Sequence, residues 1–179
     1  MSIKPEANAD AFRAVMQQHG AAVTIVTALL DGRFHGVTAT AFCSVSADPP
    51  SVLVCINRNA GAHRAFVSAR HFCVNLLAAD QTDLATRFSS SDETVRRRRF
   101  DDLRLGTLVT GAPTLQGALG HIDCTVVSAM ECKTHTVFIG LAVGIETPRV
   151  DAAPLLYMAR QYGSFTPLPA MQPLLARAG

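Results

Sequence analysis

Residues 36–61 read GVTATAFCSVSADPPSVLVCINRNAG, a stretch rich in small side chains that is interrupted once. The residues before Asp48 mix small polar and apolar side chains and are typical of an extended chain. Asp48-Pro49-Pro50 ends that segment, and residues 51–57 follow as a short unbroken apolar run. Such a run indicates a strand buried on both faces. The whole stretch therefore predicts strands separated by a Pro-rich turn.

The sequence before this stretch predicts a helix and a hairpin. Apolar side chains recur at helical spacing over residues 10–19, where Asp10 could cap the start and Gly20 the end. Residues 22–30 follow as a strand. Asp31-Gly32 then predicts a turn that leads the chain back.

The sequence after this stretch predicts two helices between strands. We expect a short helix over 61–69, a strand over 71–77, and a helix over 81–88 that Asp80 would cap. Residues 89–110 are expected to be the least ordered, because a serine run, four arginines and two aspartates follow one another.

Two long strands are predicted towards the end of the chain, over 121–132 and 135–146. In the second strand Gly140 and Gly144 share a small face, which predicts close packing or a bend. Beyond Pro148 we expect an apolar turn, Leu155-Leu156-Tyr157, and a Pro-rich tail.

About seven strands, few helices and a length of 179 residues predict one mainly β domain built as an antiparallel barrel. The helices do not alternate with the strands, and no GxGxxG follows the first strand, so a doubly wound dinucleotide fold is disfavoured. We expect a flexible N-terminus over 1–9, one domain over 10–166, and a tail over 167–179.

Composition narrows the functional classes. Hydrophobic residues make up 49% and charged residues 17%, below the usual figure of about 25%, which argues against disorder and hints at an oligomer. The net charge is +2, and acidic residues flank Arg96–Arg99, so we expect solvated, paired charges there and no nucleic-acid partner. No stretch is apolar enough to span a membrane, and no signal segment is evident. We therefore expect a soluble, cytoplasmic protein.

The five cysteines are odd in number and form no CxxC pair. Cys43, Cys55 and Cys73 lie in apolar, strand-like runs, and we expect buried, reduced thiols that act as small hydrophobic side chains. The spacing does not favour a zinc site, and we expect no metal.

The stretch 36–61 also offers a surface for a ligand. Small residues at 39, 41, 44 and 46 expose backbone groups, and hydroxyls at 38, 40, 44 and 46 add polar contacts that suit a flat ring with polar edges. Asn57 to Gly61 leads into a predicted helix, where backbone N–H groups and Arg58 suit a phosphate. The same residues also fit an ordinary Thr/Ser-rich strand pair and a polar turn. Since GxSxG, HExxH and P-loop motifs are absent, a cofactor would have to supply the reactivity.

Several ordered motifs identify a family. TATAFCSVS at 38–46, PPSVLVCIN at 49–57, FCVNLL at 72–77, Arg87-Phe88 and Thr134-His135 together resemble the short-chain flavin reductase family. Within it, the chain is similar to the reductase components of the 4-hydroxyphenylacetate 3-monooxygenase type. The resemblance covers about residues 10–165.

This resemblance implies a fold, an activity and partners. It implies an antiparallel Greek-key split barrel with a few flanking helices, which binds FMN, or FAD as the other possibility. It further implies an NAD(P)H:flavin oxidoreductase that transfers hydride from NADH or NADPH to flavin N5. Reduced flavin would pass to a partner monooxygenase, and a homodimer is expected because the flavin site of this fold lies near the subunit boundary.

The resemblance also implies site residues. The edge of the flavin ring would be contacted by Thr38, Ala39, Thr40 and Ala41. The ring and the ribityl chain would be lined by Ser44, Val45 and Ser46. The ribityl chain and the phosphate would be contacted by Asn57, Arg58, Asn59 and Ala60. Arg87, paired with Phe88, would reach the phosphate. Arg160 and Tyr162 fit either a wall on the nicotinamide side or a packed C-terminal turn.

His135 would hold the nicotinamide or the flavin ring rather than move a proton. Relatives usually have Gly two residues before this His, whereas this chain has Lys133, which puts the local turn in question. Lys133 and the atypical tail mildly favour a flavin-binding electron-transfer or storage protein without a nicotinamide site. A structural barrel with an interaction role would leave the ordered motifs unexplained.

Overall fold

The computed structural model describes residues 8–168. The predicted N-terminal segment and C-terminal tail therefore lie largely outside the described residues, and the domain boundaries at 10 and 166 stay a prediction. The helices are α1 (Ala9–Met16), α2 (His63–Ala69), α3 (Thr82–Ser89) and α4 (Glu93–Arg97), and a 3-10 turn covers Ala79–Gln81. The strands are β1 (Ala21–Ala22), β2 (Thr24–Leu30), β3 (Arg33–Ala39), β4 (Phe42–Ala47), β5 (Pro50–Asn57), β6 (His71–Leu76), β7 (Leu105–Thr107), β8 (Pro113–Leu115), β9 (Gly120–Cys132), β10 (His135–Glu146), β11 (Leu155–Met158) and β12 (Gln161–Ser164).

The main sheet has seven antiparallel strands in the order β3-β2-β6-β9-β10-β5-β4. β3 and β4 are consecutive in the chain yet form its opposite edges, so the sheet must curl until those edges approach. The crossover Thr40–Ala41 joins the edges, and the Cys55 N–H donates to the Ala41 carbonyl at 2.9 Å. The predicted antiparallel barrel is confirmed, with this crossover at its seam.

The barrel interior is filled by alternate side chains of its strands. On β5, Val52, Val54 and Ile56 are buried, whereas Leu53 and Cys55 are only half-buried. The inner side chains pack with Phe66 of α2, Phe72 of β6 and Phe138 of β10. The prediction that residues 51–57 are buried on both faces was therefore wrong for the outer face. A second apolar cluster, containing Phe88 and Leu155, packs α3 and β11 outside the barrel.

Gly140 is a position of close packing, as predicted. A Cβ there would lie 2.5 Å from Cζ of Phe72 and 2.7 Å from Cβ of Cys124. The register between β10 and β9 shifts directly after Ile139, so Gly140 also marks a bulge. Only hydrogen at this position leaves room for the aromatic ring inside the barrel.

Several local predictions were wrong at helix ends. α1 is capped by Asn8, whose Oδ1 accepts from the N–H groups of Asp10 and Ala11, and not by Asp10. Asp80 caps no helix; its carboxylate accepts from Arg149 at 3.1 Å, and this hydrogen bond lowers the pKa of Asp80. Asp80 lies inside the 3-10 turn, which displaces it from the start of α3.

Two segments are more regular than the sequence predicts. Residues 155–157 belong to β11, not to a turn, and β11 pairs with both β1 and β12. Residues 89–110 contain α4 and β7 and are not a bare loop. Both segments gain their order from partners distant in the chain, which local pattern does not reveal.

The cysteines divide into two groups. Cys73 and Cys124 are buried, and burial raises the pKa of the Cys124 thiol to about 12. Cys55 is half-buried, whereas Cys43 and Cys132 are exposed, so the prediction of burial was wrong for Cys43. Cys43 lies on the edge strand β4, where four of the six residues are exposed. Within residues 8–168, no helix combines the length and the hydropathy needed to cross a membrane.

Candidate functional site

A cleft opens at the seam of the barrel, where β3 ends, β5 ends and β10 begins. In the antiparallel register His135 lies opposite Asn57, which brings the two side chains to the same rim. This barrel-mouth cleft has a volume of about 200 Å³ and is lined by Val37, Thr38, Ala39, Thr40, Ala41, Cys55, Ile56, Asn57 and His135. The structure thus brings together six of the residues that the resemblance assigned to a flavin ring and a nicotinamide.

The wall of the barrel-mouth cleft is neutral. The Thr38 hydroxyl donates to the Ala85 carbonyl at 2.7 Å and is used within the fold. Burial raises the pKa of the Cys55 thiol, so the sulfur stays protonated at neutral pH. His135 Nδ1 lies 2.9 Å from the Thr134 hydroxyl, which orients the imidazole at the rim. Small side chains and backbone groups remain, and they suit a planar ring with polar edges.

A second cavity continues from this cleft, and both share Val37. The serine–arginine cavity has a volume of about 140 Å³ and is lined by Val37, Asn59, Ala60, Gly61, Ala62, Phe88, Ser89, Ser90, Ser91, Arg96 and Arg99. Asn59 lies in the turn after β5. Its backbone N–H donates to Asn57 Oδ1 at 2.9 Å, which stabilises this turn. Ser89 is the last residue of α3, and Ser90 and Ser91 follow it. The cavity thus combines the predicted residues Asn59, Ala60 and Phe88 with serines and arginines that the sequence did not assign to a site.

Arg99 is the unusual group of this cavity, because it is buried with 7% of its surface exposed. Its guanidinium donates to the carbonyls of Gly36 at 2.6 Å and Ser90 at 3.2 Å, and it lies 5.5 Å from the centre of the Phe88 ring. Burial lowers the pKa of Arg99. Among residues 8–168, no acceptor meets its Nε. A buried cation with a free donor favours an anionic ligand.

Arg96 reaches the same cavity from α4. Its guanidinium lies against Gly61, where a Cβ would overlap it. Its ion pair with Glu93 is long, at 3.7 Å. Arg96 and Arg99, with the hydroxyls of Ser89 to Ser91, therefore surround a space whose chemistry suits a phosphate.

The two arginines that the resemblance assigned to the phosphate point elsewhere. Arg87 donates to the carbonyls of Arg98 and Asp101, the latter at 2.7 Å, and lines a separate depression. Arg58 forms an ion pair with Glu131 at 3.1 Å. Arg58 is exposed and Arg87 is half-buried, and neither side chain lines the serine–arginine cavity.

The arginine run was expected to be solvated throughout, and Arg99 contradicts this. Arg97 and Arg98 are exposed and pair with Glu93 and Asp101, as expected. Arg99, in contrast, is directed inward by its neighbour Phe100, whose ring packs on Phe88 at 5.0 Å. An aromatic residue directly after the run was the one signal in the sequence.

The remaining predicted residues do not line the cleft. Ser44, Val45 and Ser46 are on β4, where the Ser46 hydroxyl donates to the Asp48 carbonyl. Tyr162 packs on Tyr157 at 5.2 Å. Tyr157 and Arg160, with residues of α1, line a groove of about 480 Å³ that shares Thr40 and Ala41 with the cleft.

Lys133 has φ 51°, in the left-handed region that favours glycine. The turn before His135 therefore keeps the backbone that glycine would adopt, and His135 still reaches the cleft. In the described part of the chain, no three His, Cys, Asp or Glu side chains gather as metal ligands would.

Comparison with known proteins identifies the class. The family model for the flavin reductase like domain matches residues 16–166, and the chain belongs to this family. The match confirms the resemblance, and the mainly β split-barrel fold is confirmed by solved relatives.

Three relatives illustrate the match. The chain is 42% identical over 163 residues to FMN reductase (NADH) RutF 2 of Methylorubrum extorquens (strain PA1), which covers 90% of this chain and 93% of the relative. It is 38% identical to the reductase component of the FADH(2)-dependent resorcinol hydroxylase of Rhizobium sp. (strain MTP-10005), covering 93% and 92%. It superimposes with a TM-score of 0.82 and 30% identity on the crystal structure of a homologue of nitrilotriacetate monooxygenase component B from Mycobacterium thermoresistibile, covering 91% of each chain.

Proposed function

We propose that this protein is an NAD(P)H:flavin oxidoreductase that supplies reduced flavin to a partner monooxygenase. The main support for this proposal is that the barrel-mouth cleft and the serine–arginine cavity, which differ in chemistry, lie next to each other. A neutral cleft ends at His135, and a cavity with a buried, incompletely paired arginine continues from it. FMN likewise joins a flat ring to a phosphate. The names of the relatives, an NADH-dependent FMN reductase and a hydroxylase reductase component, support the same activity.

The residues of the site fit a flavin in order along the chain. Ala39 and Ala41 allow the ring to approach the backbone of the crossover. Asn57 and Asn59 lie between the cleft and the cavity, where the ribityl chain would pass. Arg99, with Arg96 and the serines 89–91, would hold the phosphate through charge-assisted hydrogen bonds. The roles of Arg58, Arg87, Ser44, Val45, Ser46 and Tyr162 stay predictions.

His135 would position the nicotinamide against the ring. When bound, the flavin accepts a hydride at N5 from the reduced nicotinamide. This transfer depends on short, aligned contact and needs no proton from the protein, so positioning is the task left to the rim. His135 is suited to it because Thr134 orients its imidazole and β10 fixes its backbone.

A homodimer is the expected assembly. Leu53, Val137, Ile139 and Met130 occupy neighbouring outward positions on β5, β10 and β9, and Met130 is 60% exposed. A second copy of the chain would cover this apolar face, which borders the rim formed by Asn57 and His135. Light scattering should give twice the chain mass, and Ile139→Glu should give the monomer.

The free thiols fit the cytoplasm, where we place the protein.

NADH oxidation at 340 nm, with and without added FMN, tests the activity. Turnover that rises and saturates with FMN is expected. A protein that binds FMN but oxidises neither NADH nor NADPH would instead be an electron-transfer or storage protein.

A further inference from the structure

The hairpin turn that precedes His135 is held by a residue from another part of the chain. Lys133 and Thr134 form this turn between β9 and β10. The Arg58 N–H donates to the Thr134 carbonyl at 2.9 Å, and the Arg58 guanidinium donates more weakly to the Lys133 carbonyl, at 3.5 Å. Arg58 therefore contacts both residues of the turn, one with its backbone and one with its side chain.

The guanidinium of Arg58 is itself held by a carboxylate on β9. Its ion pair with Glu131 measures 3.1 Å, and Glu131 lies opposite Thr136, the residue after His135. The Arg58 side chain is 44% exposed and that of Glu131 is 66% exposed, so the pair adds little to the stability of the whole domain. Its effect is local, because it joins the turn after β5 to the hairpin that carries His135.

The hairpin turn needs such support because its backbone is unfavourable. Lys133 has φ 51°, a conformation that costs free energy for any residue with a Cβ. A backbone of this kind persists when surrounding contacts fix it. Arg58 supplies contacts at the carbonyls of both turn residues, so it helps to fix the point from which β10 begins.

A second contact anchors β10 from inside the barrel. Thr136 is buried, and its hydroxyl lies 2.8 Å from His63 Nε2 of α2. His135 thus lies between an inner anchor at Thr136 and an outer anchor at the turn. Loss of the outer anchor leaves the packed side of β10 in place and loosens only the rim of the cleft.

We propose that Arg58 is a positioning residue for the nicotinamide substrate: it holds the hairpin turn and thereby keeps the imidazole of His135 at the rim. This inference rests on the proposed function, in which His135 positions the nicotinamide. Arg58 directly follows Asn57, which lies opposite His135 in the register. Arg58 therefore couples the segment along the path of the ribityl chain to the segment that contacts the nicotinamide. The family resemblance instead assigns Arg58 to the ribityl chain and the phosphate, and the two roles predict different effects of the same substitution.

Kinetics with NADH, combined with FMN binding measured by fluorescence quenching, separate the two roles. Arg58→Gln should raise the KM for NADH three- to fivefold and keep kcat and the Kd for FMN within twofold. Arg98→Gln is the matched control, because it removes an exposed arginine from an ion pair of similar length, 3.0 Å to Asp101, away from the hairpin. This control should change neither KM nor Kd.

Glu131→Gln distinguishes positioning from direct contact with the substrate. A guanidinium that bound NADH itself would be released by the loss of Glu131, and the KM would fall. If Arg58 acts through the turn, Glu131→Gln raises the KM, and the double variant is no worse than Arg58→Gln alone. Amide hydrogen exchange of residues 131–136 should be faster in all three variants, which reports on the turn without any turnover.

Three results would overturn the inference while leaving the proposed function intact. They are a larger change in FMN Kd than in NADH KM for Arg58→Gln, an unchanged KM in that variant, and a lower KM in Glu131→Gln. If the natural protein binds no flavin and oxidises neither NADH nor NADPH, the proposed function itself fails. Because both substituted side chains lie at the surface, the variants should keep the Tm of the natural protein within a few degrees.

Discussion

The barrel-mouth cleft and the serine–arginine cavity share Val37 but are built in opposite ways. The cleft is formed by strand ends whose positions follow from sheet register, and no charged side chain lines it. The cavity is formed by a turn, the end of α3 and residues around α4, and two arginines line it. The two regions therefore have different tasks. The strands of the cleft align the reacting rings, whereas the buried cations of the cavity provide affinity for the ligand.

Replacing Arg99 tests this division with the largest expected effect. Arg99→Met should weaken FMN by about 30-fold, or roughly 2 kcal/mol, because a buried hydrogen-bonded cation is lost from the phosphate site. Riboflavin, which has no phosphate, should bind within threefold of its normal affinity. Titration of both flavins by fluorescence measures the two effects.

Arg87→Met is the matched control for Arg99→Met. Arg87 donates to backbone carbonyls outside the cavity, so FMN should bind this variant normally. If Arg87→Met weakened FMN as much as Arg99→Met does, the phosphate site would have to include Arg87, as the family resemblance implies.

Gly140→Ala tests the rigidity of the strands that form the cleft. A Cβ would lie within 2.7 Å of Phe72 and Cys124, so we expect a loss of about 2 kcal/mol in the free energy of unfolding. This should lower Tm by about 4–8 °C in a scan. Gly163→Ala, where a Cβ meets nothing within 4 Å, should leave Tm nearly unchanged. An unchanged Tm for Gly140→Ala would show that the barrel can adjust its packing to accept a side chain at this position.

His135→Ala sharpens the comparison at the rim of the cleft. We expect the KM for the nicotinamide substrate to rise about tenfold, equivalent to roughly 1.4 kcal/mol, while FMN affinity changes less than twofold. Thr134→Ala removes only the hydroxyl that orients the imidazole and should raise KM by a smaller factor. An unchanged KM in His135→Ala would remove His135 from the nicotinamide site.

Lys133→Gly should have the smallest effect and the opposite sign. Glycine relieves the left-handed φ of 51°, and we expect a gain of about 1 kcal/mol in the free energy of unfolding. Urea denaturation measures the gain, with Lys133→Ala as a near-neutral control. Reductase activity should not change; a large change would mean that Lys133 contacts a ligand.

The sequence predicted best where structure follows from local pattern. The strand over 135–146 was predicted with its bounds, because alternation is visible residue by residue. The family motifs then implied that Thr38 to Ala41, Asn57 and His135 share a site, and the register brings them to one cleft.

The sequence predicted least where structure depends on distant partners. Arg99 is one of four consecutive arginines, and only its contacts with Gly36, Phe88 and Ser90 distinguish it. Leu155 to Tyr157 form a strand because β1, more than 130 residues earlier, pairs with them. Neither effect leaves a periodic signal in the neighbouring sequence.

The crossover at Thr40–Ala41 makes the ligand site and the seam of the barrel one place. A molecule bound there contacts both edges of the sheet, so binding and closure form a single thermodynamic cycle. At a concentration 100 times its Kd, a ligand specific for the closed barrel adds about 2.7 kcal/mol to its stability. The Cys55 amide, which donates to the Ala41 carbonyl of this crossover, would then exchange its hydrogen with solvent more slowly. Cellular flavin would thereby set the lifetime of the protein as well as its activity.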